Sequence, residues 1–293
     1  MTYANEALRR AGSLEFWSGP VDPQPVSGGI TNTNFMVRDS GRPFFVRIGE
    51  DIPTHGVMRF NELAASRAAA ELGISPPVVH AEPGVLVLDF IEGRTLGEED
   101  IRDPAMLERV VGLVRECHTG MARNVTAPAL MFWVFHIVRH YARLLQEAES
   151  PHAGRLPDLM ARADRLESAV GPVELIFGHN DLLPANFIDD GSRLWLIDWD
   201  YAGFNSALFD LGGLSSNSQL EVDEDDAMLE AYYGRTPDDR TREGLRAMKA
   251  ASLLRETMWS MVSEVHSQVD FDFASYTDEN LQRFEAAWAR CSV

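Results

Sequence analysis

The stretch Phe177–Gly203, FGHNDLLPANFIDDGSRLWLIDWDYAG, constrains the chain more than any other. Within it, Asn186–Ile188 and Leu194–Trp199 read as two short strands, and Asp190-Gly191 between them is a strong hairpin signal. Glycine tolerates a positive φ in such a turn and aspartate nearly does. The hairpin returns Asn186 and Asp198 to one end, facing the loop that carries His179-x-Asp181. Asn186 follows Asp181 by five residues and precedes Asp198 by twelve. Three oxygen-bearing side chains, two of them carboxylates, are predicted to converge on one small volume. Like charges held that close repel by on the order of several kcal/mol unless a cation lies between them. Oxygen ligands that are few, with coordination positions left open, suit Mg²⁺ shared between protein and phosphate.

The same order of residues carries catalysis and metal binding in protein kinases, where H-R-D-x-x-x-x-N precedes a metal-binding Asp on a nearby strand. Here His179-Asn180-Asp181 stands for H-R-D, and Asp198-Trp199-Asp200 replaces D-F-G. Upstream segments fit that order. Val26–Val37 reads as a hairpin whose tip, with Gly28, Gly29, Asn32 and Asn34, exposes backbone N–H groups of the kind that bind phosphate. The full G-x-G-x-x-G pattern is absent. Pro43–Ile48 reads as a buried strand with Arg47 its one charge, and buried charges seldom lack a partner. The helix expected over Val57–Leu72 offers Glu62 on its inward side, so an Arg47–Glu62 pair is expected to hold a phosphate ligand in place. Val85–Ile91 reads as a second buried strand. In a two-lobed kinase the chain crosses between lobes there, and backbone groups of Asp89 and Ile91 are expected to face adenine.

Beyond Gly97 the remainder reads as helix: Pro104–His118, Phe132–Glu147, Leu156–Val170, Ala227–Tyr233, Arg240–Val265 and Asp278–Cys291. Asp103 caps the first of these, with Pro104 in its first turn. Cys117-His118 lies on an apolar stripe and reads as packing. The acidic run Asp223–Asp226 sits at a helix start, where it complements the positive end of the dipole, and reads as solvated. Trp259, Phe273, Tyr276 and Trp288 crowd the tail beside several acids, and aromatic faces with carboxylates hold ammonium groups. Net charge is −19, which argues against nucleic acid as a partner. An acidic cleft raises the association rate of a small cation by roughly 10- to 1000-fold at low salt. Two cysteines make no disulfide framework, the first residues lack a basic-then-apolar signal, and the longest apolar run, Ala129–Val138, is too short for a bilayer. A cytoplasmic protein with no membrane span is expected.

With those residues in place, the chain resembles the choline/ethanolamine kinase family, within the wider aminoglycoside-phosphotransferase-like group. The resemblance covers GGITNTNF, FFVRI, NELAASRAAAELGI, LDFIEGRTL, HNDLLPANF, IDWDYAG and the terminal MWSMVSE…DFDFASY, which is most of the chain. It implies an α+β, kinase-like fold of two lobes: a small antiparallel sheet over residues 1–89, then a mostly helical lobe over residues 90–293. It implies ATP- and Mg²⁺-dependent phosphorylation of a hydroxyl on a small cationic alcohol such as choline or ethanolamine. Asp181 is then the base that orients the hydroxyl, Asn186 and Asp198 hold Mg²⁺, and Arg47, positioned by Glu62, contacts the phosphates. Trp259 and Tyr276 match positions lining the ammonium pocket. Glu256 stands where an aromatic cage residue is expected, and favours an amine that can donate hydrogen bonds. Leu183 replaces a polar residue, and Ser215-Ser216-Asn217 stand where an acid often follows Asp210. Other acceptors stay open (an aminoglycoside, thiamine or a sugar-type alcohol), as do an inactive nucleotide-binding regulator and a homodimer.

Overall fold

The structure is a computed structural model that describes residues 3–26, 32–267 and 269–291. Gly28 and Gly29, assigned above to a phosphate-binding tip, lie outside the described residues. In chain order the elements are α1 (Tyr3–Gly12), β1 (Gln24–Val26), β2 (Thr33–Asp39), β3 (Arg42–Ile48), α2 (Arg59–Leu72), β4 (Val78–Glu82), β5 (Val85–Asp89), β6 (Arg94–Thr95), α3 (Glu98–Arg102) and α4 (Pro104–Asn124). They continue with α5 (Val134–Glu147), α6 (Leu156–Val170), β7 (Leu175–Gly178), β8 (Phe187–Asp189), β9 (Leu194–Leu196) and β10 (Gly203–Ser206). The helices α7 (Ala207–Asn217), α8 (Val222–Tyr233), α9 (Asp239–His266) and α10 (Phe273–Ala289) complete the chain.

The first part is an antiparallel sheet of order β1-β2-β3-β5-β4. Strand side chains alternate between faces. Phe44, Val46 and Ile48 therefore turn one way and join Phe35, Val37, Val85 and Val87 under Ala7 and Ala11 of α1. Arg47 turns the other way, toward α2. That helix begins two residues later than its sequence suggests, because Val57 bridges Ile52 and Met58 stays extended. The carboxylate of Asp51 then accepts from the Arg59 N–H at 2.7 Å and serves as the missing cap.

The second part is mostly helical and is organised by α9, whose residues from Gly244 to Ser263 are largely buried. Among its residues Leu254, Met258, Met261 and Val262 pack with Phe135, Val138 and Tyr141 of α5, Leu159 and Leu166 of α6, and Phe284 of α10. Against its other side lies α7, where a Cβ on Gly212 would stand 2.7 Å from the Lys249 N. Only glycine permits that approach of two helix backbones. Two small sheets, β7–β10 and β6–β8–β9, are set into this part; all their strands but β6 fall between α6 and α7 in the chain. The pairing of β10 with β7 was not expected from sequence, nor was the early start of α10. Asp272 accepts from the Ser275 N at 3.0 Å, so the helix opens at Phe273 and takes Tyr276 into its first turns. The acidic run also differs from expectation: Asp225 meets Lys249 at 3.1 Å and Asp226 meets Arg242 at 2.9 Å, so it ties α8 to α9.

Candidate active site

The Asp190-Gly191 turn closes β8 on β9, with Gly191 at φ 86° and the Asp190 carboxylate accepting from the Ser192 and Arg193 N–H groups at 2.8 Å. Past the paired strands, the Ile197 N–H reaches the Asn186 carbonyl at 3.0 Å, which sets Asp198 beside Asn186. Asn186 Nδ2 donates in turn to the Asp181 carbonyl at 2.9 Å. The three residues thus share one end of the hairpin. Asn180 and Asp198 both adopt positive φ, 66° and 70°, a backbone state that costs about 1–3 kcal/mol and persists only where surroundings enforce it. Asp210 enforces it at Asn180. Its buried carboxylate accepts from the His179 and Asn180 N–H groups at 2.8 and 2.6 Å, and His118 meets it at 2.9 Å. Burial pushes that carboxyl up, but His118 and the backbone donors outweigh it and bring it below the ordinary range. His179 donates from Nε2 to the Ile197 carbonyl at 2.8 Å, tying the loop to the far strand.

Asp181 is half-buried and lies 3.8 Å from Arg255. Its carboxyl is pushed up to about 7, by burial first; Arg255 opposes the rise, while Glu256, Asp200 and Asp210 add to it. Asp198 itself is exposed, between the buried Leu196 and the buried Trp199 and Asp200. Its carboxyl is pushed above the ordinary value by desolvation first, then by the neighbouring Asp200, Asp181 and Glu62. Two carboxyls that resist ionising together form a site that a cation would relieve. No group of three or more His, Cys, Asp or Glu side chains stands at metal-binding range among the described residues. Asn186 and Asp198 together offer a partial oxygen set, to be completed by phosphate and water, which is how Mg²⁺ is usually held.

On the sheet side, Arg47 Nε and Nη2 meet the Glu62 carboxylate at 2.9 and 2.5 Å, both residues being buried. Burial lowers Arg47 and raises Glu62, so each resists its charge and depends on the other to keep it. Arg59 extends the pair, meeting Glu62 at 2.9 Å, Asp200 at 2.7 Å and Asn32 at 2.6 Å. Asn32 Nδ2 closes the circuit on Asp200 at 2.9 Å. Asn34 lies across from Arg47 in the β2–β3 register. At the end of β5 the Asp89 N–H donates to the Pro77 carbonyl at 3.1 Å, and its carboxylate meets Arg42. That amide is therefore engaged within the sheet.

On the helical side, Glu256 accepts from Arg255 at 2.7 Å and from the Tyr276 hydroxyl at 2.8 Å. Trp259 donates to the Tyr201 hydroxyl at 3.0 Å, meets Phe273 and Tyr276 edge-on and lies tilted against His55. Trp259 is only 6% exposed and belongs to the bundle's core as well as to this cluster.

A buried charge circuit, an acid on a strained loop and an aromatic cluster lie close together. The family model for choline/ethanolamine kinase matches residues 24–231. The chain belongs to the choline/ethanolamine kinase family. It is 29% identical over 271 residues to Protein LicA of Haemophilus influenzae, covering 88% of this chain and 97% of that protein. A crystal structure of a choline/ethanolamine kinase family protein from Mesorhizobium loti superposes with a TM-score of 0.78 and 29% identity, covering 97% of this chain and 94% of that one. A crystal structure of LicA in complex with AMP, at 20% identity and a TM-score of 0.74, covers 97% of this chain and 98% of that one and shares the fold. The chain is thus a phosphotransferase with an alcohol group as acceptor, of kinase-like α+β fold. No helix among the described residues is long and apolar enough to cross a membrane.

Within this choline/ethanolamine kinase family member, Arg59, Asp200, Arg255, Tyr201 and His118 were not singled out from sequence for the cleft. Arg59 had a signal, since it stands three residues before Glu62 on one helix face. Arg255 had a weaker one: a basic residue beside Leu253, Leu254 and Met258, next to Glu256, on a helix that is largely buried there.

Proposed function

We propose that the protein transfers the γ-phosphate of ATP to the hydroxyl of a small cationic alcohol such as choline or ethanolamine, with Mg²⁺. The observation that carries this reading is the meeting of Asp181, Asn186 and Asp198 at one end of a hairpin, opposite the buried Arg47–Glu62 pair. Asp181 accepts and orients the acceptor hydroxyl. Asn186 and Asp198 hold Mg²⁺, which neutralises charge on the transferring phosphoryl group. Arg47, fixed by Glu62, faces the phosphates together with Asn32 and Asn34. The Asp89 carbonyl and the Ile91 N–H offer adenine an acceptor and a donor. The boundary between lobes then falls after Asp89, as the sheet's last strand ends. Glu256, Trp259 and Tyr276 line the acceptor side. Positioning and charge stabilisation supply nearly all of such catalysis. Dependence on ATP and the two free cysteines, Cys117 and Cys291, favour a cytoplasmic location.

A panel of alcohols assayed for ADP release tests the reading. Ethanolamine or choline is expected to drive turnover, and EDTA to abolish it. Turnover only with aminoglycosides, thiamine or sugars would move the assignment to those acceptors. Absence of turnover with every alcohol would leave the inactive regulator.

A further inference from the structure

The acceptor side of the cleft already contains a cation. Arg255, on α9, is 5% exposed at its side chain, and its guanidinium carbon lies 4.3 Å from the centre of the Tyr201 ring and 5.7 Å from that of Phe132. Through Nη1 the same group stands 2.7 Å from Glu256 and 3.8 Å from Asp181. Its Nε and Nη2 find no hydrogen-bond acceptor in good geometry among the described residues, so two carboxylates, the nearby Tyr141 hydroxyl and the ring faces hold it where it is. Tyr201 is in turn fixed by the bond from Trp259 to its hydroxyl.

A quaternary ammonium ion carries no N–H. It is held by net negative charge and by aromatic faces within about 6 Å. Both are compromised here. The chain's own guanidinium already lies over the Tyr201 ring, and it also compensates the charge of Glu256. An amine that keeps its hydrogens loses less, since the Glu256 oxygens retain lone pairs beyond those used by Arg255 and Tyr276. We propose that Arg255 is a specificity-determining residue, a resident cation that covers Tyr201 and closes the acceptor pocket to quaternary ammonium groups while leaving Glu256 to N–H-bearing amines. This rests on the alcohol-kinase reading of the cleft.

Binding without turnover separates the two. Calorimetric titration of the wild-type protein with ethylammonium and tetramethylammonium chloride is expected to give a Kd at least about 10-fold weaker for tetramethylammonium. In Arg255→Met that ratio is expected to fall to about one, through tighter binding of tetramethylammonium. Arg255→Gln, which keeps a planar group able to bond Glu256, provides the same test should the methionine variant unfold. Equal affinities in the wild type, or a ratio that persists in the folded variant, overturn the proposal. Should no alcohol be phosphorylated while the binding ratio behaves as stated, the functional reading falls and the role of Arg255 stands.

Discussion

The two walls of the cleft are built on different plans. The wall assigned to phosphate is a closed circuit, Arg47–Glu62–Arg59–Asp200–Asn32, in which each charge meets its opposite at 2.5 to 2.9 Å. The wall proposed for the acceptor alternates ions with rings: Asp181, Arg255, Glu256, Tyr276, Trp259 and Tyr201. The family match, residues 24–231, includes all of the first wall and stops before α9 and α10, which supply most of the second. Recognition of a phosphate chain poses one fixed problem of charge and geometry, whereas acceptors differ in size, charge and hydrogen bonding. A wall of one chemistry facing a wall of another is what a shared donor and a variable acceptor require.

The residue between the walls gives the largest expected effect. Asp181→Asn keeps the shape and removes the base, so turnover is expected to fall by about 10²–10⁴-fold. The melting temperature should stay close to wild type, because the carboxyl is already uneasy in its charged form. Near-normal turnover in the folded variant would sink the base assignment. Glu62→Ala breaks the first wall. It strands the buried Arg47 without its carboxylate, and loss of one partner of a buried pair costs about 3–5 kcal/mol. Thermal unfolding should shift down accordingly, and the KM for ATP should rise while that for the acceptor changes little. Trp259→Ala is the counterpart in the second wall. Here the acceptor KM is expected to rise well beyond the ATP KM, and equal effects on both would reduce Trp259 to a core residue.

Much of the first wall and of the Asp181–Asn186–Asp198 group was legible because the information is local. Asp190-Gly191 dictates a hairpin, and a hairpin fixes which residues share an end. Arg47 in an apolar strand demanded a partner, and α2 offered one. The second wall was only partly legible. Glu256, Trp259 and Tyr276 were visible as residue types, but Arg255 read as one more charge on a long helix until Tyr201 was seen to lie beneath it. Those two positions are 54 residues apart, and nothing in either segment announces the other. Asp210 shows the same limit: its carboxylate holds the backbone of a loop 30 residues away and answers to His118, 92 residues away. A side chain that serves backbone groups leaves no pattern at either end.

The smallest expected effect lies where the walls join. His55 comes from a turn below the five-stranded sheet, yet it lies 3.3 Å from the Tyr141 hydroxyl on α5 and 3.1 Å from Ser263 on α9, with its ring against Trp259. Burial, with Arg255, His266 and His140 nearby, lowers its pKa to about 3. Unfolding returns it to about 6.5, so between those values the unfolded chain binds a proton that the folded chain refuses. Stability contributed by this site is therefore complete above pH 6.5 and erodes as pH falls, by about 1.4 kcal/mol per unit. Glutamine at this position carries no such proton. The melting-temperature advantage of wild type over His55→Gln should be largest near pH 7.5 and narrow measurably by pH 5.5. If the advantage is the same at both, the ring is not held neutral between the two walls, and the sheet's turn and the helical bundle meet there without a buried histidine to join them.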